Sequence, residues 1–167
     1  MQLPPHQEPD GTETGVLDQI ELLTFAVGEQ DYAIDIMCVR EIRNWTEPTP
    51  LPKTPDFVRG VINLRGTVLP ILDLAKRLEL DAGAPDERSV FVVIHAEGRV
   101  FGVTVDGVSD ILTVPRSMLQ DPPALDDGTE PGCVSALILE EERMIRVLAA
   151  SRIAPHVTGA GKETAAA

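Results

Sequence analysis

Between Phe57 and Leu78 the chain reads FVRGVINLRGTVLPILDLAKRL, and no other stretch restricts the fold as much. Two runs rich in Val, Ile and Leu, Val58–Leu64 and Thr67–Leu72, flank Arg65 and Gly66. Apolar and branched residues on both sides of a glycine predict an antiparallel pair with a tight turn. A helix is expected over Asp73–Leu80, with Asp73 as its cap and Leu74, Ala75 and Leu78 as its apolar face. The turn is exposed by construction and carries Asn63 and Arg65. This pattern predicts a rigid platform that presents a polar tip to a partner, not reaction chemistry.

Similar short β-like runs fill the rest of the chain. Glu21–Val27 and Tyr32–Ile36 flank Gly28–Asp31, a hairpin signal. Val39–Ile42 follows a brief helical turn at Ile36–Val39. Four prolines between Thr46 and Pro55 remove ladder donors, so that segment is expected as an extended connection or an edge. Ser89–His95 and Arg99–Val105 flank Ala96–Gly98. Asp106-Gly107 turns the chain into Val108–Val114, and Val134–Leu139 with Met144–Leu148 forms a last hairpin. Each half offers about five short strands, and closure into a small barrel removes sheet edges. The expected fold is therefore mainly β, with two five-stranded barrels side by side and short helices. Residues 81–88 (DAGAPDER) are expected to divide subdomain 1, about 17–82, from subdomain 2, about 88–154. The first strand has the alternative of crossing to the second lobe. Residues 1–16 and 155–167 are small and polar and are expected as disordered tails.

The net charge of −13 argues against generic binding to nucleic acid, whose phosphates repel an acidic surface. The charge is uneven. Residues 36–78 carry +3, leaving −16 for the remainder, which suits a docking face for a partner with some acidic residues. Cys38 and Cys133 have no metal-ligand spacing and are expected reduced. No apolar run approaches the ~20 residues that span a bilayer. The first residues lack the basic start and apolar core of a signal peptide, so a cytoplasmic protein is expected.

Reaction chemistry finds little support. His6, His95 and His156 are too few and scattered for a zinc site. Around Ser109 a nucleophile elbow is not met, because Ile stands at 111. Gly60, Gly66 and Gly102 form no dinucleotide or phosphate loop. Asp35, Asp73 and Asp106 are the carboxylates a small enzyme would need, and each has a local explanation as a turn or cap residue. Trp45, the only tryptophan, is expected to pack in the core.

The order of segments resembles the CheW family of chemotaxis coupling proteins over about Ile20 to Ile153. The motifs are F-x-V-G-x-x-x-Y-x-I-D-I at Phe25–Ile36, V-x-E-I-R at Val39–Arg43 and G-V-I-N-L-R-G-x-V-L-P-I-L-D-L at Gly60–Leu74. F-G-V-x-V-D-G-V-S-D-I-L follows at Phe101–Leu112, then E-E-R-M-I at Glu141–Ile145. The resemblance implies two SH3-like barrels with no enzymatic activity and no cofactor or metal. It implies a bridge between a methyl-accepting receptor, held by its hairpin tip, and the regulatory domain of the histidine kinase CheA. It places Val39, Glu41, Gly60 and Arg65 at the receptor, with Asn63 bracing the turn. Residues facing the kinase stay unknown. The isolated protein is expected to be monomeric and to reach receptor arrays through its partners. The alternatives are a CheW-like adaptor of a pilus or developmental array and, from another class, the carboxylate enzyme.

Overall fold

The computed structural model describes residues 18–80, 83–123 and 132–154. The expected tails and most of the 120–132 loop lie outside the described residues. Four hairpins organise the strands. β1 (Gln19–Val27) and β2 (Gln30–Asp35) join through Gly28-Glu29, and β4 (Val58–Leu64) and β5 (Thr67–Asp73) through Arg65-Gly66. β6 (Val90–Ala96) and β7 (Arg99–Val105) join through Glu97-Gly98, and β9 (Val134–Glu140) and β10 (Arg143–Leu148) through Glu141-Glu142. In the first three links both residues have positive φ, the turn geometry that matches the twist of the flanking strands. The first link is shorter than expected, because Gln30 and Asp31 already pair with Val27 and Ala26.

With β3 (Val39–Asn44) and β8 (Gly107–Pro115), these strands form two five-stranded sheets, ordered β8-β1-β2-β10-β9 and β3-β6-β7-β5-β4. The fold is mainly β with short helices, as the sequence predicts. The division near 81–88 is not where the sheets part. Strands β3 to β7 make a central lobe from one continuous stretch. A split lobe takes β1 and β2 from one end of the chain and β8 to β10 from the other. The crossings fall at the 3-10 turn Ile36–Cys38 and at Asp106. Residues 83–88, the described part of the acid-rich stretch that reads as a boundary, lie on a connection between strands of the central lobe. The first strand does cross, and it takes its hairpin partner with it.

The two lobes repeat each other in register. Hairpin β1–β2 falls on β6–β7, β8 on β3, and β9–β10 on β4–β5. The β8 irregularity that skips Ser109 falls on the one in β3 that skips Arg40. Each lobe has one parallel pair, Val147 opposite Ala33 and Ile71 opposite Gly102 at equivalent positions. Among the described residues, each sheet is closed by a single bridge at a seam. In the central lobe the Thr49 and Val61 amides donate to each other's carbonyls at 2.8 and 2.9 Å. In the split lobe Gln120 and Leu137 do the same at 2.8 and 2.7 Å. The proline-rich connection thus supplies one bridging residue and no central strand.

Strand alternation sorts apolar residues into three clusters. Leu22, Ala33, Ile138, Ile145 and Val147 fill the split barrel, and Leu64, Leu69, Ile71, Phe91 and Val93 fill the central one. Trp45 packs on the latter, its ring 5.4 Å from that of Phe91. The largest cluster lies between the lobes and joins Leu23, Phe25 and Ile34 to Leu72, Val92, Ile94 and Val103. The lobes therefore share a core that neither has alone.

Helix α1 (Leu74–Arg77) follows β5, and α2 (Ala150–Ile153) follows β10 at the equivalent place. Asp73 caps α1 through the Lys76 amide. α1 ends before the expected Leu80 because Glu79 takes a left-handed φ of 62°. Its amide and that of Leu80 then close onto Lys76 and Ala75, which stops the helix.

Candidate functional site

The seam of the central lobe gathers most of the residues that the sequence picks out. Arg65 and Gly66 are the two linking residues of β4–β5, with φ of 52° and 85°. The Gly66 amide donates to Asn63 Oδ1 at 2.8 Å, so Asn63 braces the turn as expected. This fixes the backbone from which Arg65 projects, and its side chain remains 69% exposed. Val68, on the outer face beside it, is 64% exposed.

Glu41, on β3, meets Arg65 across the seam in a charge-assisted pair between Oε2 and Nη2. Arg43, two residues along the same strand, adds a contact to the other carboxylate oxygen at 3.4 Å. The hydrogen bond from Arg65, aided by the charges of Arg65 and Arg43, holds the Glu41 carboxyl below its ordinary range. Arg65 is thus a preorganised fork of which one nitrogen is in use. Its exposure leaves the rest of the fork open to a partner's carboxylate or carbonyl. Sequence reasoning did not find the Glu41–Arg65 pair or Arg43, because the pairing depends on closure of the barrel.

Val39 opens β3 opposite Ile94 and is half-buried against the shared core. Its equivalent, Val108, lies on the same core from the split lobe. The two strands β3 and β8 therefore border the junction of the lobes symmetrically, which sequence reasoning also missed.

Gly60 has a part within the central lobe's own seam. It is buried, with φ of 143°, and an added Cβ would lie 2.2 Å from the Thr49 carbonyl oxygen. The space that the missing side chain leaves is filled by this chain's own Thr49–Pro50 backbone. Gly60 lets the seam close.

The three carboxylates of the enzyme reading are each committed locally. Asp35 Oδ1 accepts from the Met37 amide at 2.9 Å, and Asp106 Oδ2 from the Gly28 amide at 2.9 Å. Asp73 is buried, caps α1 and pairs with Arg59 at 2.9 Å. No site brings them together. Burial raises the thiol pKa values of both Cys38 and Cys133, which are unpaired with each other. Among the described residues no cluster of His, Cys, Asp and Glu is placed to hold a metal, and no helix is long and apolar enough to cross a membrane.

Known proteins share this architecture and sequence. A family model described as CheW-like domain matches residues 21–158. The chemotaxis protein CheW of Rhizobium meliloti is 44% identical over 135 residues, 81% of this chain and 87% of that protein. The probable chemotaxis protein CheW of Rhizobium etli is 43% identical over 125 residues, 75% of this chain and 81% of that one. The crystal structure of the scaffolding protein TtCheW from Thermoanaerobacter tengcongensis matches with a TM-score of 0.72 at 26% identity. That match covers 78% of this chain and 88% of the other.

Proposed function

This chain belongs to the CheW-like family, and from that premise we propose that it bridges methyl-accepting receptors to the histidine kinase CheA. It is a non-catalytic coupling adaptor of chemotaxis. In our reading the receptor's hairpin tip docks beside the Arg65 turn, where Val39, Glu41 and Arg65 lie, with Gly60 supporting the seam from within. The kinase's regulatory domain docks elsewhere on the two barrels. The protein works in the cytoplasm at receptor arrays, which it reaches through these partners.

The observation that carries this reading is the exposed Arg65 fork on a braced two-residue turn, aimed by Glu41 and flanked by exposed Val68. A rigid tip with one charged fork and an apolar neighbour suits a helical hairpin that offers both apolar side chains and carboxylates or carbonyls. Coupling is then geometric: two lobes joined by one core hold both partners at a fixed orientation. A shift in the receptor biases the kinase between states.

The test is calorimetric titration against the regulatory domain of a CheA kinase from the same genome, then against a receptor hairpin. Saturable one-to-one binding to both supports the bridge. No binding to any such kinase refutes it.

A further inference from the structure

One tie between the lobes breaks their two-fold repeat. Arg77 ends α1 in the central lobe, and Ile153 ends α2 in the split lobe, at equivalent positions. These two residues meet. Arg77 Nε donates to the Ile153 carbonyl at 2.6 Å and Nη2 to the Arg152 carbonyl at 2.8 Å. Arg99, the first residue of β7, adds Nη1 to the Ala154 carbonyl at 2.8 Å and Nη2 to the Ser151 carbonyl at 3.3 Å. Guanidinium groups of the central lobe thus take the carbonyls that so short a helix leaves without partners of its own. Phe57 supports Arg77 from its own lobe, with the guanidinium carbon 5.4 Å from the ring centre.

The split lobe does not return the grip. Gln30 stands at the position equivalent to Arg99, and its Oε1 is occupied by the Tyr32 hydroxyl at 2.9 Å. Ile153 itself stands where Arg77 does and has no donor side chain.

The consequence follows from where α2 sits. It continues β10, whose parallel pairing with β2 is, with the β1–β8 pairing, one of the two joints between the split lobe's chain segments. Ala150 and Ile153 are buried in the shared core, and burial of this kind is non-directional. Hydrogen bonds from two planar forks are directional and select one angle among those the apolar contact permits.

We propose that Arg77 and Arg99 are positioning residues for coupling: they clamp α2 so that the lobes keep one mutual angle, while touching neither partner. The clamp itself stands on the hydrogen bonds above; its role in coupling rests on the adaptor reading.

The experiment uses the full chain, with spin labels at Glu47→Cys in the central lobe and Ser117→Cys in the split lobe. The background carries Cys38→Ser and Cys133→Ala. Pulsed electron paramagnetic resonance reads the distance between the labels. In an Arg77→Gln/Arg99→Gln variant with an unchanged circular-dichroism spectrum, the distribution should broaden roughly twofold. Equal widths overturn the clamp. Should the double variant not fold, Arg99→Gln alone, which keeps Arg77, gives the same comparison.

The second readout separates positioning from mere structure. The variant should bind the kinase domain and the receptor hairpin separately within about threefold of the parent, while receptor control of kinase activity falls several-fold. Full control despite loosened lobes overturns the positioning role. A parent protein that shows no control would sink the adaptor reading, and the distance measurement would still decide the clamp.

Discussion

Glu41 lies on β3 and Arg65 on the turn that ends β4, the two strands at opposite ends of the central sheet's order, yet their side chains pair directly. The sheet is closed, so its first and last strands are neighbours, and this ion pair laces the seam from outside. Beneath it run the Thr49–Val61 bridge and the buried Gly60.

Reversing the charge at the turn tests the proposed docking site. Arg65→Glu should weaken binding of the receptor hairpin roughly tenfold or more, because like charges across an interface cost several kcal/mol. Its melting temperature should stay close to that of the parent, since Arg65 is exposed and the turn is braced by Asn63. Unchanged affinity in a folded variant would remove Arg65 from the site.

Gly60→Ala should behave as a folding defect. Its Cβ would press on backbone from Thr49, at a φ that side chains rarely adopt, for a cost of about 2–4 kcal/mol. Gly66→Ala, whose Cβ would meet nothing within 4 Å, should cost only about 1–2 kcal/mol. Urea unfolding of the two variants gives the comparison, and equal losses would contradict the role assigned to the seam.

The shared core predicts that the lobes stand or fall together. Ile94→Ala, between the lobes, should cost about 2–5 kcal/mol, as should Ile138→Ala inside the split barrel. Both variants should still melt in one transition. A fragment of residues 36–106 has all five central strands but leaves Leu72, Val92, Ile94 and Val103 uncovered, and it should not fold alone. A cooperative melt of that fragment would refute this.

Acid should unlace the seam pair. The folded pKa of Glu41 is depressed, so the pair's contribution is present above the unfolded pKa and is lost as pH falls through the folded one. A carboxyl-detected NMR titration should find Glu41 ionising below the usual range in the parent. In Arg65→Gln the pKa should rise toward its ordinary value. An identical titration in both proteins would show that the pair does not persist in solution.

What could be read from the sequence was local. Arg65-Gly66 and Glu97-Gly98 mark hairpins because two adjacent residues suffice to set a turn, and Asn63 reaches only to Gly66. The partition of strands depends on pairings such as Tyr32 with Arg146, which no local pattern encodes. Residues 81–88 have the composition of a boundary, and the described part, 83–88, is a largely exposed connection; composition does not say which strands lie on either side. The part that Gly60 plays in the seam was not legible for a related reason. A glycine that needs open space beside it looks the same whether a partner or the chain's own Thr49 fills that space. The motif that carries Glu41 and the one that carries Arg65 were both visible; their contact was not.

The split lobe also sets an order of assembly. During synthesis the β1–β2 hairpin emerges first, yet its sheet is complete only when β10 has left the ribosome. Through most of translation the barrel-facing side of that hairpin, with Leu22 and Ala33, has no β8–β10 to cover it. A ribosome-stalled chain ending at residue 120 should therefore bind a hydrophobic dye more strongly than the finished protein. The first strands made are the last to be sheltered, and they are where the newborn chain is most exposed to aggregation and chaperone capture.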